Sequence, residues 1–291
     1  LLQLQPAMFS PTFEANIVES AVTALPQPVY TRALTVFLIY LVPYSAYFNV
    51  VFSLVELGAG ILLISGKKQL WFAGNALGAV FGFVVWFFGE GLGGLTTLTV
   101  VHLSLRYPES LVTGFPGAGL LYSIISLLLL GFAKGDRLSE ASRYVATMLL
   151  GAGELIQLLP QYWMPDTQYS MFTSSVLMGE TPKPLVAPTI RLALTAAANP
   201  LLSNTLEILF GLTLVACLAL RVRLRWILPL ACAYLGFIWV FGMGLMGLLG
   251  GQATDPGTPP LLLLLILATY AQRSKESGQA GQDPTLSFTE D

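Results

Sequence analysis

Four carboxylates stand inside or at the edges of long apolar stretches: Glu56, Glu90, Glu154 and Glu207. None has a Lys or Arg at similar depth in its stretch. An unpaired acid in hydrocarbon is costly enough to mark function by default. Glu90 sits between Gly89 and Gly91, which offer no side chains to shield it. It lies five residues before Leu95, roughly 7 Å from the end of its run at a helical rise of 1.5 Å per residue. Glu154 and Glu207 fall in the corresponding half of their own runs, and Glu56 lies deeper. The four are therefore expected to converge on one polar, outward-facing site. The competing reading is that each acid is neutral or hydrogen-bonded to a neighbouring helix.

Other chemistry is thin. Gly89-Glu90-Gly91-Leu92-Gly93-Gly94 and Gly242-Met243-Gly244-Leu245-Met246-Gly247 both satisfy G-x-G-x-x-G. A dinucleotide site needs that motif between a strand and a helix, whereas both copies here close an apolar helix. The glycines instead let helices approach closely, let the helix unwind, or expose carbonyls toward a cavity. His102 is the single histidine, which excludes bis-histidine haem and His-rich zinc sites. Cys217 and Cys232 both lie in apolar runs and read as packing residues. Thioethers suit soft metals, but only Met243 and Met246 stand three apart. No metal and no cofactor is expected.

These residues must be carried by helices in a membrane. Of 291 residues, 55% are hydrophobic and 10% charged, against about 25% charged in soluble domains. Mean hydropathy is +0.71. Net charge is -2 without a basic tract, so nucleic acid is not an expected partner. Apolar spans are read at 47–66, 69–95, 117–133, 143–160, 203–220, 224–248 and 258–272, to be compared with the roughly 20 residues that cross hydrocarbon; the last is short, though Pro259-Pro260 can start a helix. Leu1 to Gln5 reads as the last turn of an eighth. Lys and Arg alternate between connections. Lys67, Lys68, Lys134, Arg137, Arg143, Arg221, Arg223, Arg225, Arg273 and Lys275 fall on one side; Arg32, Arg106, Lys183 and Arg191 fall on the other. The side rich in positive charge is expected to be cytoplasmic, with the C-terminus inside. The segments 7–46 and 161–202 then lie outside, where short apolar pieces lie along the interface or cap the bundle.

The chain also repeats itself. Leu1-Leu2-Gln3-Leu4-Gln5-Pro6 matches Leu155-Ile156-Gln157-Leu158-Leu159-Pro160, Pro26 matches Pro182, Pro43 matches Pro200, Asn49 matches Asn204, and Trp86 to Leu95 matches Trp239 to Leu248. The shifts are 154, 156, 157, 155 and 153 residues, in order along the chain. Pro116-Gly117 pairs with Pro256-Gly257 after an insertion that carries His102 and Arg106. The expected fold is an all-α polytopic transmembrane bundle of two parallel four-helix repeats, the first helix truncated. Residues 1–133 form the first repeat, 134–142 a cytoplasmic connection, 143–273 the second repeat and 274–291 a disordered polar tail.

Two resemblances follow from these motifs. The four-helix unit resembles the DoxX-like bacterial membrane proteins, which include the small subunit of thiosulfate:quinone oxidoreductase. Leu2 to Pro6, Trp86 to Gly94 with Pro116 to Tyr122, and Trp239 to Pro256 resemble a group of uncharacterised bacterial polytopic membrane proteins. The first resemblance implies at most an association with quinone-linked redox chemistry, and neither assigns a catalytic residue. Three functions remain open. The leading expectation is a non-catalytic subunit or scaffold of a larger membrane complex, with partner subunits or a homo-oligomer, in a bacterial inner membrane. The second is a transporter or solute-binding protein. The third is a redox subunit.

Overall fold

The computed structural model describes residues 9, 32, 35, 36, 39, 40, 42–90, 92, 110–132, 136–249, 253 and 255–270. Expectations for Leu1 to Pro6, Met8, Pro26, Gly91, Gly93, Gly94, His102, Arg106, Lys134 and the tail fall outside these residues. The described residues hold nine α-helices and no strand. In chain order they are α1 (Ser45–Ile64), α2 (Lys68–Phe88), α3 (Ala118–Gly131), α4 (Asp136–Gln157), α5 (Pro165–Leu177), α6 (Lys183–Ala198), α7 (Pro200–Ala219), α8 (Leu224–Phe237) and α9 (Thr258–Ala268). Four segments are long and apolar enough to cross a membrane: α1, α2, α7 and α8 extended to Gly242. α3 and α9 are shorter apolar helices.

All seven expected spans are helical, with shifted ends. α2 stops at Phe88, where Gly89 caps it and the Gly89 and Glu90 N–H groups both donate to Val85 O; Leu92 beyond it is left-handed at φ 57°. α4 starts at Asp136, seven residues before the apolar run, since its polar first turns still form helix where they meet water. The segment 161–202 forms a helix pair, α5 and α6, each with proline in its first turn, where the missing N–H costs nothing.

Small residues set the packing. A Cβ on Gly82 would lie 2.7 Å from Gly119 O, and one on Gly119 would lie 2.7 Å from both Gly82 O and Trp86 N. α2 and α3 thus touch backbone to backbone, as glycine permits in lipid. Ser123 Oγ donates to Ala79 O at 2.7 Å across the same contact. α1 meets α2 at Gly74 and leaves Tyr47, Val51, Leu54, Ile61 and Ile64 more than half exposed. That apolar face suits hydrocarbon, where α1's backbone groups are already satisfied within the helix.

The basic residues gather at one end. Arg221 and Arg143 both reach Glu140, Ser139 donates to Thr269 O, and the Tyr270 hydroxyl donates to Val222 O at 2.7 Å. The opposite end is tied by residues 110–117. Leu111 packs on Gly153 of α4, Val112 on Gly242 beyond α8, and Thr258 of α9 donates to Gly114 O at 2.7 Å. There the α8 helix widens into a π turn, Ile238–Gly242. It then passes through four consecutive left-handed residues, Gly244, Leu245, Met246 and Gly247. For Leu and Met that conformation costs roughly 1–2 kcal/mol each. The tight fit explains Gly244, because a Cβ there would meet Thr181 Oγ1 at 2.6 Å.

Candidate functional site

Five of the described acids form two groupings. In the first, Glu56, Glu90 and Asp255 act electrostatically on the Tyr122 hydroxyl. Both Glu90 oxygens accept from the Gly119 N–H, at 3.0 and 3.1 Å. Trp86 Nε1 donates to Pro116 O at 2.9 Å beside it. A carboxylate at the first turn of α3 satisfies a helix-end donor and opposes the helix dipole. Gly117, at φ 99°, leaves the space, since a Cβ there would lie 2.3 Å from Glu90 Oε2.

The second G-x-G-x-x-G run offers a comparison. Met243 takes the place of Glu90 in that run, and its Cε would lie 3.5 Å from a Cβ on Gly257, which the sequence pairs with Gly117. Gly257 shares the left-handed φ, at 84° against 99°. The counterpart of Gly119 is Pro259, which has no N–H to donate. Gly119 thus offers Glu90 an N–H, whereas Pro259 has none to offer. Glu90→Met should therefore lose about 1–3 kcal/mol, the cost of a buried donor left unpaired. Met243→Glu should also destabilise, because Pro259 cannot answer it. Unfolding of both variants in detergent checks this, and an unchanged Glu90→Met would contradict it.

The second grouping is deeper and lies between α4, α7 and α8. Glu154 and Gln157 are one turn apart on α4, and Asn204, Glu207 and Gly211 follow one face of α7. Gln157 Nε2 donates to Glu207 Oε2 at 2.6 Å, and Asn204 Nδ2 donates to Gln157 O at 3.1 Å. Ser203 Oγ reaches Glu207 Oε1 at 3.4 Å. From α8 the Tyr234 hydroxyl donates to Glu154 Oε1 at 2.8 Å. Glu154 is 1% exposed and Glu207 7%. Gly211 makes the arrangement possible, because a Cβ there would lie 1.7 Å from Glu154 Oε1 and 2.7 Å from Oε2. The Glu154 carboxylate therefore rests on bare α7 backbone one turn from Glu207, where helix neighbours have Cβ atoms about 5–6 Å apart.

Gln157, Asn204, Gly211 and Tyr234 complete this site, and none was among the expected site residues. Only Gln157 and Asn204 gave a signal, as members of the repeat. Gly89, Gly242 and Gly244 lie at helix ends away from it, and Gly91 is outside the described residues. No group of three potential metal-ligating His, Cys, Asp or Glu side chains occurs among the described residues. No protein-family model, curated protein or solved structure matches the chain.

Proposed function

We propose that this chain is a multi-pass protein of a bacterial cytoplasmic membrane that binds or transports a small solute through the Glu154–Glu207 cluster. One observation carries the reading: two carboxylates side by side within a bundle of membrane-length helices, held by amides and a phenol. The described ion pairs both belong to Glu140, at the basic end. Helix packing alone gives no reason to place two acids there, because apolar side chains of similar volume are often neutral or stabilising in such positions.

The bundle consists of two parallel four-helix copies related about the membrane normal. Three facts support this. α1 and α7 are each 20 residues long at a shift of 155. Leu92 and Leu245 are left-handed at φ 57° and 59°. Asn49 and Asn204 are both buried. At the shift of 155, Phe52 and Glu56 stand where Glu207 and Gly211 stand, so the acid cluster belongs to the second copy alone. Such divergence between copies marks where a duplicated scaffold has acquired a site.

The same chain as a non-catalytic subunit would use the cluster only for packing. A thermal-shift screen of purified protein against small solutes and salts separates the two. The transport reading expects a stabilising ligand whose effect is lost in Glu154→Gln. Absence of any such ligand, together with a stoichiometric membrane partner on native purification, would favour the subunit.

A further inference from the structure

The hydrogen-bonding roles around the cluster are unbalanced. Its donors are engaged: Gln157 Nε2 and the Tyr234 hydroxyl on the two acids, and Asn204 Nδ2 on a backbone carbonyl. The unsatisfied atoms are acceptors. Glu154 Oε2 and Asn204 Oδ1 are both fully buried and have no partner, in residues 1% and 0% exposed. Buried polar groups are nearly always paired, and exceptions call for an explanation. Glu154 Oε1, which Tyr234 holds, is the oxygen nearer Gly211, and the unpartnered Oε2 lies 2.7 Å from where a Cβ on Gly211 would stand.

The charges point the same way. The titratable groups that face Glu154 and Glu207 are each other and Tyr234 of α8. No Lys, Arg or His contributes there among the described residues. Two negative charges one helical turn apart in a low-dielectric interior repel strongly. What is missing in both respects is positive charge that accepts lone pairs. A divalent ion with six to eight oxygen ligands does not suit a site whose amide and phenol groups already donate. A single charge does.

We infer that Glu154 and Glu207 together hold one monovalent cation, a proton or an alkali-metal ion, where α4 meets α7. This rests on the solute-binding reading and names the ion that its site takes. The bound cation lowers the pair from two negative charges to one and relieves their mutual repulsion, so occupancy fixes α4 against α7. Release restores the repulsion and loosens that contact. Because Gly153, next to Glu154 on α4, lies beneath Leu111, loosening α4 reaches the 110–117 segment, at the end of the bundle opposite the basic residues.

The test uses the whole protein in lipid nanodiscs with choline as the only other cation. Infrared spectra are recorded at mildly acidic and mildly alkaline pH, and thermal unfolding with added sodium or potassium at alkaline pH. A proton site gives a carboxylic-acid carbonyl band in the wild type that titrates away and disappears in Glu154→Gln or Glu207→Gln. An alkali-ion site gives a rise of about 5 °C in unfolding temperature at hundredfold excess over Kd, lost in the same variants. Glu90→Gln should keep whichever signal the wild type shows. A wild type with neither the band nor a cation-specific shift overturns the inference. A cation signal without any solute in the screen above would instead retain the ion site and remove the transport reading.

Discussion

Gly119→Leu should leave little folded protein. The Cβ of any side chain at 119 meets Gly82 O and Trp86 N at 2.7 Å and Trp86 Cα at 3.1 Å. All three are backbone atoms, so no side chain can swing aside and α2 must move off α3. That separation breaks Ser123 to Ala79, Trp86 to Pro116 and Gly119 to Glu90. Overpacking costs about 1–3 kcal/mol, and each buried polar group left unpaired adds about 1–3 kcal/mol. Gly119→Leu should thus lose on the order of 4 kcal/mol or more, and Gly119→Ala about 2 kcal/mol. Gly60→Ala supplies the control. Nothing lies within 4 Å of its Cβ position in the exposed face of α1, so it should be neutral or gain about 0.5–1 kcal/mol from helix propensity. Equal unfolding of Gly119→Ala and Gly60→Ala in detergent would contradict the packing described.

Gly211→Ala should be the next most damaging change, and Glu154→Ala should partly reverse it. The new methyl falls 1.7 Å from Glu154 Oε1. A carboxylate is usually free to swing away, but this one is pinned by Tyr234 and is 1% exposed. Displacing it breaks that bond, and Gly211→Ala should lose about 3 kcal/mol. With Glu154→Ala the space is free, so the double variant should be more stable than Gly211→Ala alone. The double-mutant cycle should give a coupling of roughly 1–3 kcal/mol, as residues in contact do. Additive effects would place the carboxylate elsewhere.

The helices were legible because lipid demands long uninterrupted apolar runs, and all seven spans were visible that way. Their ends were not. α2 ends at Phe88, well inside an apolar run that continues to Leu95, so hydropathy alone did not mark its end. Asp136 to Arg143 reads as a charged connection yet extends α4, because charge and helix are compatible outside hydrocarbon. α5 and α6 showed only as short apolar pieces in a polar segment.

The site was legible in part. Composition marked Glu56, Glu90, Glu154 and Glu207 as costly, but could not say which would meet. That depends on α4 packing on α7, a relation between distant segments. Glu90 looked the most functional of the four, yet its described partner is the backbone N–H of Gly119, a group that no side-chain pattern flags. Gly82 and Gly119, where α2 meets α3, and Gly211, where α7 meets α4, lie outside both G-x-G-x-x-G runs. Their importance lies wholly in what stands opposite them.

The proposed function has the bundle crossing a membrane with its basic end in the cytoplasm and the acid cluster toward the outside. Labelling of single cysteines with an impermeant thiol reagent on intact cells tests this most directly. Cys217 and Cys232 are first replaced, and cysteine is then introduced at Lys183 or at Arg223, both exposed and at opposite ends of the bundle. Lys183→Cys should label on intact cells, and Arg223→Cys only after permeabilisation. Labelling of Arg223→Cys but not Lys183→Cys on intact cells would invert the orientation and contradict the account.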